Sequence, residues 1–391
     1  MILSGRLAET ADLVSIEVGE GKITRIAPAP DDSAAGHFVV APGFIDMQVN
    51  GFAGFDFCDP AVTTAEIRQL IGRLQERGVT TLCPTVVTGS HEQMAASIGA
   101  IARACEEDSA VGRAVACIHV EGPYISPEDG PRGAHAQEHV RPPDWAEFQR
   151  WQELAGGRIG MVTLSPEYPE APDFIRRATG AGVLVSIGHT GADTEAIAQA
   201  VEAGARFSTH LGNGAHALIR RHPNYIWDQL ADDRLMAGLI FDGHHLPPSV
   251  MKVMLRAKSL ERCVLVSDAV AVAGLPPGIY EGRVGKRVEL LPSGRLVLQG
   301  TPYLAGSASH LLDGVNNAIA LAGLSTGEAI RLATTNPARA MGLEQRLGAI
   351  LPGADANLVL LEQDSVSGLL SVAATMVAGE WVHKRKGMDL S

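Results

Sequence analysis

Residues 1 to about 40 alternate short apolar runs with turn residues, as in LVSIEVGEGKITRIAPAP, and Gly19-Glu20-Gly21-Lys22 between two β-rich runs predicts a hairpin. The final stretch, ANLVLLEQDSVSGLLSVAATMVAGEWVHK, has the same β character. Between them the rhythm changes, and apolar runs alternate with helical patterns such as TTAEIRQLIGRLQERG and GADTEAIAQAVEAGA. Eight runs read as strands: FIDMQVN from 44, VTTLCPTV from 79, AVACIHVEG from 114, RIGMVTLSP from 158, GVLVSIGH from 182, ARFSTHL from 205, LMAGLIFDG from 235 and CVLVSDA from 263. That alternation argues for βα units and a parallel sheet, and eight such units predict an α/β fold: a (β/α)8 TIM-like barrel over residues 42–346. Residues 1–41 and 347–391 are then expected to pair into a small β-sandwich domain built from both chain termini. No internal repeat or low-complexity tract stands out.

Composition fits this architecture. The chain has 391 residues, 46% hydrophobic and 19% charged, enough for one large domain and a small one. A net charge of −12 argues against nucleic acid as a partner. The local cluster Arg220-Arg221-His222 still leaves room for a small anionic ligand, although its blander reading is a solvated basic loop. No run of eighteen apolar residues is present, so no membrane span is expected. MILSGRLAET lacks the basic region and long apolar core of a secretion signal, and a cytoplasmic location is expected. The five cysteines (Cys58, Cys83, Cys105, Cys117, Cys263) show no CxxC and lie mostly in apolar strand-like runs, which reads as buried free thiols.

In such a barrel, chemistry sits at the C-terminal ends of the strands. Here polar residues fall there repeatedly: Gln48 and Asn50, His119 and Glu121, His189, His210, Asp242 with His244 and His245, and Asp268. Each alone has a bland explanation, such as a structural histidine or a helix-capping aspartate. Acid or imidazole at five strand ends on one rim is explained with fewer assumptions by a metal site. Glu121, His189 and His210 supply a carboxylate and two imidazoles from three strands, which suits a catalytic divalent cation, and Asp268 is left as general base. Zn²⁺ suits such a donor set best, with Fe²⁺, Co²⁺ or Mn²⁺ as alternatives. The six lysines (Lys22, Lys252, Lys258, Lys286, Lys384, Lys386) avoid the strand ends, which argues against a lysine-bridged pair of ions.

The segments APGFIDMQVNG, HVEGPYISPEDGPRGAH, VTLSPE, SIGHT, STHLGN, FDGHHL, VLVSDA, LAGSAS and TTNPARAMGLEQRLGAILPGADANLV run through nearly the whole chain. With them the chain resembles the N-acetylglucosamine-6-phosphate deacetylases of the amidohydrolase superfamily, whose fold is the metal-dependent-hydrolase barrel. Some members carry HxH on the first strand and bind two metals, whereas others carry QxN and bind one. Gln48 and Asn50 match the second kind and imply one divalent metal per subunit.

The resemblance implies that Glu121, His189 and His210 ligate the metal and that Asp268 is base and then acid. His135 would contact the substrate and polarise its acetamide carbonyl. Asn213, Arg221 and His245 would bind the sugar phosphate, and backbone near Gly214 and Leu304 would line the pocket. Arg221 would reach the neighbouring subunit's site in a homodimer. The implied activity is hydrolysis of an N-acetyl amino-sugar 6-phosphate to the amine and acetate. Three departures cluster around the sugar pocket: Gly212 replaces an aromatic residue, Gly214-Ala215-His216 replaces a small-Met-Pro run, and Arg221-His222-Pro223-Asn224 replaces REPG, followed by Tyr225 and Trp227. His119 could orient a ligand, His245 rather than His244 would point inward, and Ser307 is either a pocket donor or an ordinary turn serine. Competing readings are an amidohydrolase for another N-acyl sugar or cyclic amide, and a silent barrel used as a binding subunit.

Overall fold

The computed structural model describes residues 1–29, 37–282, 287–301 and 303–388. Lys286 and part of the first terminal segment lie outside them. An eight-stranded parallel sheet follows chain order: Phe44–Val49, Val79–Val87, Ile118–Glu121, Ile159–Leu164, Leu184–Ile187, Phe207–Ser208, Met236–Leu239 and Cys263–Leu265. These are the eight runs expected from the sequence. The first and last strands close the ring through the parallel bridge Val49–Ala269, with Asp268 N–H on Gln48 O at 2.9 Å and Asn50 N–H on Ala269 O at 2.8 Å.

Local chemistry explains the helices between the strands. In Thr64–Gln75 the Thr63 hydroxyl and Glu66 carboxylate form a capping box, and Ile67, Leu70, Ile71 and Leu74 form the buried stripe. Thr194–Ala203 starts on Asp193, whose carboxylate accepts from Ala196 N–H, and ends at Gly204. Inside the barrel, Met47, Met161, Phe207, Ile240, Val264 and Val266 form an apolar floor. The polar strand ends lie beyond it.

The two ends of the chain meet in one seven-stranded sheet, ordered Glu380–Lys384, Leu370–Val377, Leu358–Gln363, Phe38–Pro42, Ile2–Leu7, Leu13–Gly19, Lys22–Pro28. The expected hairpin turns at Glu20-Gly21. The expected β-sandwich is thus a continuous sheet whose inner face gathers Val14, Ile16, Ile23, Val40, Leu358, Leu360 and Met376 into one cluster. The hairpin also meets the loop that leads into Leu358–Gln363, where Ile23 N–H donates to Ala354 O at 2.9 Å and Ala356 N–H to Gly21 O at 2.8 Å. One element went unread in the sequence. After the eighth barrel strand, Gly278–Glu281, Arg287–Leu290 and Leu296–Leu298 form a small antiparallel sheet with a core of Val272, Val288, Leu290 and Leu296. Among the described residues the cysteines are free, four of them buried and Cys117 half-buried. Among the described residues no helix is long and apolar enough to cross a membrane.

Gly43 joins the terminal sheet to the first barrel strand. A Cβ there would lie 2.2 Å from Thr80 Oγ1 and 2.3 Å from its methyl, both buried. Gly43→Ala is therefore expected to cost about 1–3 kcal/mol, the usual penalty of overpacking, read as a lowered Tm with the barrel otherwise intact.

Candidate metal centre

Three site residues sit where strands turn abruptly into loops: His189, His210 and Asp268 have φ of 50°, 27° and 48°. Left-handed backbone is costly for residues with a Cβ and collects at functional positions. The turn at His210 also explains why the sixth strand is only Phe207–Ser208.

Glu121, His189 and His210 each aim one ligand atom at a common point, all within 4.8 Å of one another and all buried. Glu121 Oε1 lies 3.2 Å from His189 Nε2 and 3.0 Å from His210 Nε2, and the two nitrogens are 3.0 Å apart. His189 Nδ1 lies 2.8 Å from the Pro131 carbonyl, which can only accept, so the ring's proton is on Nδ1 and its Nε2 carries a lone pair. That lone pair faces a carboxylate oxygen and a second imidazole nitrogen. One proton cannot satisfy all three atoms, whereas a divalent cation can, and imidazole with carboxylate is the donor chemistry of Zn²⁺ and its neighbours. The residues present fit the divalent metal that the sequence resemblance implies.

Burial works against the Glu121 charge, but in the metal-free protein His189 and His210, when protonated, outweigh it and hold the carboxyl well below its usual range. Burial likewise opposes charge on His210, and Glu121 raises its pKa in spite of that.

Gln48 and Asn50 stand beside this cluster as donors. Gln48 Nε2 lies 2.9 Å from Glu121 Oε1 and 3.2 Å from Asp268 Oδ1, and Asn50 Nδ2 lies 2.8 Å from the same Asp268 oxygen. Two neutral amides thus clamp one oxygen of Asp268, and among the described residues nothing bonds Oδ2. In the metal-free protein, burial first and the Glu121 charge second push Asp268 up to about 6.

His135 Nδ1 is 2.7 Å from Thr88 Oγ1, and its ring is 4.4 Å from that of His189, centroid to centroid. Desolvation in the cleft and the neighbouring His189 push its pKa down to about 3, so the ring is neutral. The His245 ring is largely covered, with Nδ1 2.7 Å from Asp242 Oδ2, whereas His244 turns away to the Ser293 carbonyl at 3.2 Å. Asn213 closes the turn after His210, its N–H and Nδ2 lying 3.0 and 3.2 Å from the His210 carbonyl. Gly214 lies against the His189 ring. His119 bonds Thr85 and Thr163, at 3.3 and 2.8 Å, rather than a candidate ligand. Ser307 is a buried structural serine that bridges to Ala269 behind Asp268. Leu304 bridges to Val297 on the small antiparallel sheet, half-buried. Arg221 is exposed on its loop and makes no ion pair among the described residues. Sequence reasoning missed the Pro131 carbonyl and Thr88. It noted Asp242 at a strand end but not its bond to His245, which the three-residue Asp242–His245 spacing signalled.

The raised Asp268 pKa gives a stability test. Its proton is held more tightly in the folded, metal-free protein than in the unfolded chain, so its favourable contribution is complete below about pH 4 and is lost as pH rises through about 6. Asp268→Asn should therefore stabilise the metal-free protein at pH 7 relative to pH 4, by about 3 kcal/mol at most, seen as a Tm difference that widens with pH.

The sequence profile of the amidohydrolase family matches residues 39–382. An N-acetylglucosamine-6-phosphate deacetylase of Bacillus subtilis is 33% identical over 353 residues, covering 90% of this chain and 86% of the relative. An N-acetylgalactosamine-6-phosphate deacetylase of Escherichia coli O157:H7 is 32% identical, covering 89% and 90%. The crystal structure of N-acetyl-D-glucosamine-6-phosphate deacetylase from Mycobacterium smegmatis superposes with a TM-score of 0.88 at 30% identity, covering 98% of this chain and 100% of that one. With its barrel, strand-end triad and whole-length likeness, the chain belongs to the amidohydrolase family, in its N-acetylglucosamine-6-phosphate deacetylase branch.

Proposed function

We propose that this protein hydrolyses the acetamide of N-acetylglucosamine 6-phosphate, releasing amine and acetate, with one divalent cation held by Glu121, His189 and His210. The observation that carries the reading is the convergence of those three ligand atoms beside a clamped Asp268. An amide is a poor electrophile with a poor leaving group. When bound, a divalent cation of the Zn²⁺ class supplies Lewis acidity that acidifies water and polarises the carbonyl.

The chain's own residues do the rest. Asp268, held at Oδ1 by Gln48 and Asn50, takes the attacking water's proton on Oδ2 and returns it to the nitrogen as the C–N bond breaks. With the Thr88 hydroxyl donating to Nδ1, His135 Nε2 carries the proton that hydrogen-bonds the acetamide oxygen as charge develops there. His245, held at Nδ1 by Asp242, offers Nε2 to the phosphate, together with Asn213 and backbone at Gly214 and Leu304. Arg221 suits the phosphate of a neighbouring subunit in a homodimer, since its planar fork meets an anion with two hydrogen bonds. The domain division proposed is 1–41 with 347–391, and 42–346. A cytoplasmic location agrees with a phosphorylated substrate.

The Escherichia coli relative favours N-acetylgalactosamine 6-phosphate as a second reading. Amine release from both sugar phosphates and from unphosphorylated N-acetylglucosamine, on Zn²⁺-loaded protein, separates them. Turnover of the glucosamine phosphate ahead of the other two is expected, and release from neither phosphate would remove the substrate assignment. Asp268→Asn should lower kcat by about 10²–10⁴-fold, and near-native turnover in that variant would contradict the role given to Asp268.

A further inference from the structure

Two of the residues that break the branch's usual pattern, His216 and Tyr225, are hydrogen-bonded to each other. Gly214 has φ of 55°, and a Cβ there would lie 2.7 Å from His189 Nδ1 and 3.2 Å from the Pro131 carbonyl. The loop after His210 therefore seats its backbone directly on the His189–Pro131 hydrogen bond, as only glycine permits. Two residues on, His216 N–H donates to Tyr225 Oη at 2.9 Å. The Tyr225 hydroxyl proton is then free for His216 Nδ1 at 3.0 Å, which leaves Nε2–H to donate to Glu128 Oε2 at 2.8 Å. Tyr225 is buried at the start of the helix Tyr225–Ala231, capped by Asn224, whose Nδ2 also lies 2.9 and 3.3 Å from the Arg220 and Arg221 carbonyls. At the other end, the Glu128 carbonyl accepts from Arg132 N–H at 3.0 Å, in the turn that presents Pro131. Ser126 N–H, two residues before Glu128, donates to the His189 carbonyl at 2.9 Å.

We propose that Glu128, His216 and Tyr225 form a brace that positions the metal ligand His189. The brace ties the Pro131 loop to the loop after His210 and so keeps the Pro131 carbonyl on His189 Nδ1, with the Nε2 lone pair turned to the cation. None of the three touches the ligand atoms, so they are positioning residues acting through Pro131 and Gly214. The inference rests on the metal-site reading above. It also links four of the altered positions in the HLGNGAH and RRHPNYIW segments, in which Gly214 makes room and His216, Asn224 and Tyr225 supply the fastening.

The test measures metal binding directly. Zn²⁺ affinity is determined by chelator competition for the parent, His216→Ala, Tyr225→Phe and the double variant, and the visible d–d spectrum of each Co²⁺-loaded protein reports ligand geometry. Each single variant should lose about three- to ten-fold in affinity, less than the 10–100-fold typical of a group bonded directly to a ligand, with a shifted Co²⁺ spectrum. The double variant should lose no more than the worse single, because the two act as one unit. His216→Gln, which keeps a donor for Glu128, should recover part of the loss. Unchanged affinity and spectra in both single variants, whatever their Tm, would overturn the brace, and so would losses that simply add. Failure of the parent to bind one metal would instead sink the metal-site reading on which the brace rests.

Discussion

The open end of the barrel depends on an electrostatic problem that its own residues do not solve. Glu121 Oε1, His189 Nε2 and His210 Nε2 meet in a buried space with too few protons to separate them. Acceptors that share too few protons out of water are costly, and a bound cation would turn that cost into binding energy. The left-handed backbone at His189, His210 and Asp268 is held against its own preference by the packed barrel below. That floor is apolar and dense, so strain at the rim does not relax into the core.

On the single-cation reading proposed above, Gln48 and Asn50 are the residues that set the number of ions. Each offers an N–H to a carboxylate oxygen, Gln48 to both Glu121 and Asp268, Asn50 to Asp268 alone. An amide donor satisfies a carboxylate without adding charge and offers no imidazole lone pair to a second ion. The pair thus fixes one oxygen of Asp268, and in the proposed mechanism it leaves Glu121, His189 and His210 as the donor set for metal.

Much of this was legible in the chain. The eight barrel strands, the terminal β segments and the three candidate ligands could all be read because strand periodicity and strand-end polarity are local signals. The small antiparallel sheet was not, since Gly278–Glu281 and Arg287–Leu290 are short, charged and partly exposed, and such segments look like loop. The His189–Pro131 bond was invisible because a backbone carbonyl leaves no mark in a sequence. Glu128 and His216 are 88 positions apart, so only the fold could bring them together. The departures HLGNGAH and RRHPNYIW read in the sequence as a cluster around the sugar pocket, and the hydrogen bonds that join His216 to Tyr225 and Glu128 appear only in the fold.

The most direct test of the single-cation account is a stoichiometric reconstitution. Metal-stripped protein is titrated with Zn²⁺ while amine release from N-acetylglucosamine 6-phosphate is followed, with bound metal counted at each step. The account predicts that activity rises linearly and breaks at one equivalent per chain. A break at two equivalents, or full activity with no metal bound, would contradict it.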